Sequence, residues 1–374
     1  MERLRPIARW RWPILLGVWL VNVPTHWTIH RGDWIYFVWG AKLLGLRGPG
    51  AGLQTLGAHP ALATGPLSLV VTRFLQIGGT NGLARAQFLM WALGPAALVL
   101  LERAGRRSRP AGDRLAVDLT VLSGGAVLLQ TWALAAGSAG HIDDVLTMSF
   151  AALAVWATAE RRPGVLACAI ALATAAKPWG LFLLPLTLAP QLRHPLRTAA
   201  LALGVTALPW LPFALADHAL ISQHLYDHFV MPRSGLAALG MPQEMAPHWV
   251  RPAQVLGGVV LGAVVVRRVH WGAAVAAGLA VRLALDPAAY GYYTPTFVLA
   301  ALVLDLVALR RPLPVATVLT VVTLEVAPAL IRDDVGLARL RLADAFTLAA
   351  IALLARSDAF SSARSGRQIP CTTR

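Results

Sequence analysis

Three aspartates are the residues of this sequence best suited to acid–base chemistry: Asp33, Asp143 and Asp144. A positioned carboxylate can take a proton from an acceptor hydroxyl or orient a sugar. His141 stands just before the aspartate pair, and together these oxygen-rich residues could bind a divalent cation, the one cofactor they suggest. Two alternatives stay open. Loop acids are often merely solvated, and Asp144 could cap the helix that follows it.

Lys177 is a second candidate because it lies in an apolar stretch, between Ala176 and Pro178. Ionisable residues inside a membrane are costly, so they are functional hypotheses by default. Its ammonium could bind a lipid phosphate as a point charge. Alternatively, the side chain could extend along apolar neighbours and place its charge at the membrane surface.

A third set of candidates follows residue 217 and combines basic or titratable side chains with aromatic ones. A lipid-carrier phosphate or pyrophosphate suits these residues, since arginine can form paired hydrogen bonds to it. His224 and His228, four residues apart, permit a zinc site, but the general-base glutamate of the metalloprotease pattern is missing. Simple anchoring of a loop at the membrane surface is the other alternative. The candidates are His218, His224, His228, Arg233, His248 and Arg251.

A tyrosine cluster, Tyr290, Tyr292 and Tyr293, precedes an apolar run. Tyrosines are enriched where helices enter the membrane, so the cluster fits an aromatic belt. The same rings could stack on a sugar.

The elements that must position these residues are membrane helices. Of the 374 residues, 57% are hydrophobic and only 14% are charged, whereas soluble domains carry about 25% charged residues. Apolar runs approach the roughly 20 residues that cross a bilayer as a helix. The sequence therefore predicts an all-α polytopic bundle of about 12 membrane helices with extracytoplasmic loops. Residues 1–355 form one transmembrane domain, and 356–374 form a short polar cytoplasmic tail.

The distribution of charged residues predicts how the bundle is oriented in the membrane. The net charge is +15, but the basic residues form short clusters between apolar runs, which argues for membrane orientation and against a nucleic-acid partner. We expect a retained first helix with a cytoplasmic N-terminus in a plasma (inner) membrane. The acids then gather on the outer side. Ala61–Ile77 is expected to lie at the outer interface, and the short runs on either side of Lys177-Pro178 are expected to form a broken hairpin.

Several short motifs resemble those of the GT-C superfamily of membrane glycosyltransferases that use polyprenyl-phosphate sugars, particularly its actinobacterial mannosyltransferase-like branch. Asp33 with Trp34, Tyr36 and Ala41-Lys42-Leu43-Leu44 resembles the first-loop aspartate and the amphipathic helix after it. Gly140 to Asp144 resembles the second acidic loop. Two further likenesses are His59-Pro60 through Gly65-Pro66-Leu67 and Ala175-Ala176-Lys177-Pro178. The resemblance spans about residues 10 to 190.

This resemblance implies transfer of mannose or a related sugar from a polyprenyl-phosphate donor to an envelope glycan or glycolipid. Asp33 would be the general base, Asp143 or Asp144 would position acceptor or carrier, and Lys177 or loop arginines would hold the phosphate. His59 would belong to the substrate-binding residues. The first loop has a lone aspartate where some members have paired acids, which argues against metal dependence. A flippase of lipid-linked sugars and a noncatalytic partner of an envelope assembly complex are the alternatives.

Overall fold

The computed structural model describes residues 4–27, 32–78, 82–110, 113–218, 228–309 and 311–355. Within these ranges the chain is helical and contains no β-strand, which confirms the predicted all-α class. The α-helices are α1 (Arg5–Arg9), α2 (Arg11–His26), α3 (Trp34–Leu44), α4 (Thr55–Ala58), α5 (Pro66–Leu75), α6 (Leu83–Ser108), α7 (Arg114–Ala133), α8 (Ile142–Ala159), α9 (Pro163–Ala176), α10 (Pro195–Ala216), α11 (Gly235–Ala238), α12 (Val250–Arg268), α13 (Ala274–Leu285), α14 (Thr294–Val303), α15 (Val315–Val321), α16 (Ala327–Leu330) and α17 (Asp334–Leu354).

Six helical stretches in the described part of the chain are long and apolar enough to cross a bilayer. They are Leu83–Ser108, Arg114–Ala139, Ile142–Ala159, Pro195–Ala216, Val250–Arg268 and Gly291–Leu309. Other apolar helices have only 10 to 17 residues, which at 1.5 Å per residue is less than the roughly 30 Å of the hydrocarbon core. The chain is therefore a helical membrane protein with six full-length candidate spans.

The predicted break at Lys177 is confirmed. α9 ends at Ala176, Lys177 is extended with φ −154° and ψ 136°, and a 3₁₀ helix follows over Pro178–Leu188. The cause is local, because the ring of Pro178 disfavours helical backbone at the residue before it. The break places the charged side chain of Lys177 at a point where a continuous apolar helix would present an apolar one.

α5 is fastened to this break. The backbone N–H of Gly65 donates to the carbonyl of Ala176 at 2.9 Å, and the Ser68 hydroxyl donates to the same oxygen at 3.0 Å. A Cβ atom on Gly65 would collide with the Ala175 carbonyl. A glycine is therefore required for α5 to approach α9 this closely.

The 3₁₀ helix after the break packs closely against α12 and α13. Phe182, from the 3₁₀ helix, is buried against α12, where a Cβ on Gly258 would lie 2.6 Å from its ring. A Cβ on Gly278 of α13 would lie 3.1 Å from the Phe182 Cβ. Small residues at such positions let helices approach closely in membranes. They bring α12 and α13 alongside the residues that follow Lys177.

Candidate functional site

Asp33 and His141 meet where α3 begins and the helix pair α7–α8 turns. The N–H of Asp33 donates to the carbonyl of Ala139 at 3.1 Å, which fixes the start of α3. Gly140 then adopts φ +67°, a conformation that suits glycine. The turn directs His141 so that its Nε2 lies 2.6 Å from Asp33 Oδ2.

Asp143 and Asp144 lie in the first turn of α8, where carboxylates complement the helix dipole. Oδ1 of Asp143 accepts the N–H of Asp144 at 2.8 Å and lies 3.3 Å from His141 Nδ1. The capping alternative for Asp144 is wrong: its carboxylate accepts from Lys177 at 2.6 Å and from the indole of Trp179 at 3.3 Å. Both aspartates are buried.

Lys177 bridges this pair of acids. Its Nζ lies 3.0 Å from Asp143 Oδ2 and 2.6 Å from Asp144 Oδ2, and the residue is only 8% exposed. The alternative in which Lys177 extends to the membrane surface is therefore wrong. Because Lys177 contacts both carboxylates, it holds the two acids together.

His141 links the exposed acid to the buried ones. Burial opposes protonation of the imidazole, but hydrogen bonds to Asp143 and Asp33 outweigh it and raise the pKa of His141 above its ordinary value. The imidazolium can donate to Asp33 with Nε2 and to Asp143 with Nδ1. The four charged groups Asp33, His141, Asp143 and Lys177 thus form one continuous chain of contacts.

Tyrosines form the adjoining wall. The ring of Tyr292 stacks on His141 with centroids 3.5 Å apart and an 18° angle between planes. Tyr290 stacks on the outer face of Tyr292 at 5.0 Å, while Tyr293 is buried and meets Tyr292 edge-on at 4.8 Å. Tyr292 and Tyr293 are therefore part of the site, in addition to any belt role of the exposed Tyr290.

Arg282 is the functional candidate that the sequence reasoning missed. It is 4% exposed on α13, and its guanidinium carbon lies 4.8 Å from the ring centroid of Tyr293 and 5.7 Å from that of Trp179. Its Nε is 3.4 Å from Asp286 Oδ2, an ion-pair distance. Its Nη1 is buried and has no hydrogen-bond partner among the described residues. An arginine in the apolar run Ala274–Leu285 is the same signal that drew attention to Lys177.

Arg251 and Arg282 together form the basic end of the site. Arg251 begins α12, is half-buried, and places Nη1 3.7 Å from Asp286 Oδ1 and 2.8 Å from the Gln254 side-chain oxygen. Two guanidinium groups therefore share the single carboxylate of Asp286. The acidic end holds three aspartates, of which Asp143 and Asp144 contact Lys177 and Asp33 contacts His141, so the two ends of the site differ in charge.

A cavity of about 610 Å³ connects the two ends. A cavity of this size suits a small-molecule substrate, since ligand pockets are commonly 300 to 1,000 Å³. Eight of the candidate residues line it: Asp33, His141, Asp143, Lys177, His228, Arg251, Tyr292 and Tyr293. Asp144 lies directly behind Lys177. Tyr290, which the sequence analysis also offers for stacking on a sugar, lines the cavity as well. Tyr36, Trp179, Gln254 and Arg282 are additional lining residues that the sequence did not single out as binding residues.

Besides Asp144, four described candidates do not line the cavity: His59, His218, Arg233 and His248. His59 lies elsewhere, with Nε2 3.0 Å from the Gly50 carbonyl and its ring 4.9 Å from Trp39, so its proposed substrate role has no support from its position. Arg233 pairs with Asp334 at 2.5 Å, where both side chains are exposed and outside the cavity. His224 lies outside the described residues.

The residues His141, Asp143 and Asp144 are close enough to be considered as cation ligands, because one ligand atom from each lies within 4.8 Å of the others. The Lys177 ammonium, however, contacts both carboxylates, and a divalent cation there would face its charge at short range. The donor set as arranged does not suit a metal. No catalytic step is therefore assigned to one.

No protein-family model, curated protein or solved structure matches the chain. Functional assignment therefore rests on the site itself.

Proposed function

We propose that this protein is a polytopic membrane glycosyltransferase of the GT-C type, with about 12 membrane helices. It moves mannose or a related hexose from a polyprenyl-phosphate donor to a hydroxyl of an envelope glycan or glycolipid, on the extracytoplasmic face of the plasma membrane. The observation that carries the proposal is the cavity itself. It places an accessible carboxylate at one end and a desolvated guanidinium at the other, with stacked tyrosines between.

Asp33 is the general base in this proposal. Its side chain is 41% exposed, whereas those of Asp143 and Asp144 are 3% and 0% exposed. Only Asp33 of these three can meet an incoming hydroxyl without a large rearrangement. His141 holds Oδ2 at 2.6 Å and keeps the carboxylate directed at the cavity.

Transfer is a single displacement at the anomeric carbon. The acceptor oxygen gives its proton to Asp33 and attacks C1 of the sugar. The C1–O bond to phosphate breaks, and the carrier phosphate leaves with the bonding electrons. A direct attack of this kind inverts the configuration at C1.

Arg282 and Arg251 are the phosphate-binding groups. Nη1 of Arg282 is buried beside the cavity without a described hydrogen-bond partner, and an unfilled buried donor costs about 1–3 kcal/mol. A phosphate oxygen would satisfy it, and guanidinium groups match phosphate geometry. Tyr290, which is 43% exposed and stacks on Tyr292, offers a ring face for the sugar. The lipid tail of the donor explains why the site lies within a membrane protein.

The test is sugar transfer in membranes with a radiolabelled polyprenyl-phosphate mannose and membrane acceptors. Asp33→Asn should abolish product formation while protein abundance stays unchanged, since the amide cannot accept the proton. Asp113→Asn is the matched control, because Asp113 precedes α7 at the opposite end of that helix from the site. Full transfer by Asp33→Asn would rule out the assigned role. A flippase would instead show carrier movement across the membrane without glycosidic product.

A further inference from the structure

A second cavity lies at the other end of the α6–α7 pair, and four of its six described lining residues are arginines. It encloses about 290 Å³ and is lined by Arg106, Arg107, Arg109, Pro110, Arg114 and Val117. The helical stretch Arg114–Ala139 has 26 residues, about 39 Å at 1.5 Å per residue. This cavity therefore lies one membrane thickness from His141, at the opposite surface. None of the described residues that line it is acidic.

Its charge is not cancelled by the neighbouring acids. Arg106 and Arg11 share Glu102 and Asp118 in one network, with Arg106 Nη2 2.6 Å from Glu102 and Arg11 Nη2 2.7 Å from the same oxygen. Two arginines and two acids balance there. Arg107 and Arg114 take part in no ion pair within the described residues, so they add net positive charge to the cavity.

Arg109 shows that the cavity is a built feature and more than a cluster of loop charges. It is 6% exposed, and its guanidinium donates to the carbonyls of Leu306 at 2.7 Å and Asp305 at 2.6 Å. These acceptors lie in a π-helical segment, Leu304–Leu309, almost 200 residues along the chain. Orienting a loop by its positive charge requires neither a cavity nor a buried arginine.

An apolar track leads away from the cavity. The Thr120 hydroxyl, about one turn beyond Val117, donates to the Arg311 carbonyl at 2.9 Å and ties the start of α15 to α7. From there Val315, Val318 and Val322 are 44%, 46% and 45% exposed at helical spacing. An acyl chain can lie on such a stripe, which a free phosphate ion would not use.

We propose that this cavity binds the phosphate of an anionic glycerophospholipid, with an acyl chain on the α15 stripe. Basic pockets between helices at a membrane surface suit such headgroups. The site is independent of the transferase proposal, because it lies at the opposite surface and uses none of the same residues. It gives the helix pair that carries His141 an anchor in the far leaflet.

The test uses the purified full-length protein, with phosphatidylglycerol and phosphatidylcholine titrated and bound lipid counted by native mass spectrometry. The double variant Arg107→Gln/Arg114→Gln should bind phosphatidylglycerol roughly 25-fold more weakly, from about 1 kcal/mol per removed guanidinium. Both residues are exposed, so the fold should survive. The matched control is Arg193→Gln/Arg197→Gln, which removes two exposed arginines outside the cavity.

Retention of phosphatidylglycerol by the control and its loss from the cavity variant would support the site. Equal loss in both variants would overturn it in favour of general surface charge. The proposal also fails if the wild type does not prefer phosphatidylglycerol to phosphatidylcholine. It fails as a lipid site if inorganic phosphate alone raises the Tm of the wild type as much as the lipid does.

Discussion

Oδ2 of Asp33 lies 2.6 Å from Nε2 of His141, although 108 positions separate the two residues in the chain. The contact joins the start of α3 to the turn between α7 and α8. Through His141 it also connects an exposed acid at the cavity surface to the two buried acids Asp143 and Asp144. Much of the behaviour expected of this protein follows from that one imidazole.

The first prediction concerns pH. Because the pKa of His141 is raised in the folded state, its protonation stabilises the fold fully below the unfolded value of about 6.5 and no longer does so as pH rises through the raised value. The groups that face it are Asp33, Asp143, Asp144 and Lys177. We expect the Tm advantage of wild type over His141→Gln to be largest near pH 6 and to shrink above it. Thermal unfolding in detergent from pH 5.5 to 9 measures this.

His194→Gln is the control for that series, since His194 is exposed and lies away from the site. Its Tm should follow the wild-type curve at every pH. A pH-independent difference between wild type and His141→Gln would contradict the assignment of a raised pKa.

The second prediction concerns Lys177→Met. Removing the ammonium leaves two buried carboxylates with His141 as their one remaining cationic partner among the described residues, and breaking a buried ion pair typically costs about 3–5 kcal/mol. Adding Asp144→Asn removes one of those charges, so the double variant should recover part of the lost stability. Denaturant unfolding of the single and double variants gives the coupling energy. Strictly additive losses of unfolding free energy would show that the contact between Lys177 and Asp144 contributes nothing to the stability of the fold.

The third prediction concerns metal ions. Since Lys177 contacts both aspartates, chelation with EDTA should leave the Tm and the transfer activity of the wild type unchanged. Lys177→Ala vacates the space between the carboxylates, and Mn²⁺ should then raise the Tm of that variant. Mn²⁺ titration with paramagnetic resonance detection compares the two proteins. Tight Mn²⁺ binding by the wild type would contradict the argument.

The fourth prediction concerns the phosphate-binding end. Arg282→Gln should lower kcat/KM for the polyprenyl-phosphate donor about 10- to 100-fold, the loss expected for a buried hydrogen bond to a charged group. Arg282→Lys should recover part of it by retaining the charge. Arg268→Gln, at the other end of α12 from Arg251, should have no effect on kcat/KM. An Arg282→Gln enzyme with unchanged kcat/KM would separate this residue from substrate binding.

The fifth prediction concerns topology. Single cysteines at Trp249, which is 48% exposed, and Ser108 should react with impermeant reagents from opposite sides of the membrane. Cys168 is exposed, so it and Cys371 must first be replaced by serine. Reaction of both positions from the same side would overturn the threading.

The helical architecture and the break at Lys177 could be read from the sequence because both are local. Apolar runs of membrane length and a lysine–proline step need no knowledge of distant residues. The convergence of Asp33 with the acidic loop was also expected, from the rule that places acids on one side of the threading. The number of full-length spans was harder to predict, because the sequence of a short apolar run does not reveal whether that run crosses the bilayer.

The partners of several candidate residues depend on long-range pairing. Lys177 was predicted to bind a phosphate or to reach the membrane surface, and its partner Asp144 lies 33 residues away in the chain. Arg233 was predicted to bind a carrier phosphate, and its partner Asp334 lies 101 residues along the chain. Arg282 was not among the predicted site residues, although it lies in the apolar run Ala274–Leu285. Only the packing of Tyr293 and Trp179 around it reveals a cage.

The attachment of α5 to the break has a mechanical consequence. One carbonyl oxygen, that of Ala176, receives both Gly65 and Ser68, and it belongs to the residue next to Lys177. A bulkier side chain at Gly65 would push α5 away from α9. It would thereby move the Lys177 ammonium away from the carboxylates of Asp143 and Asp144. One uncharged methyl group added at Gly65, outside the cavity, would then disturb the ion pairs between Lys177 and its two aspartates.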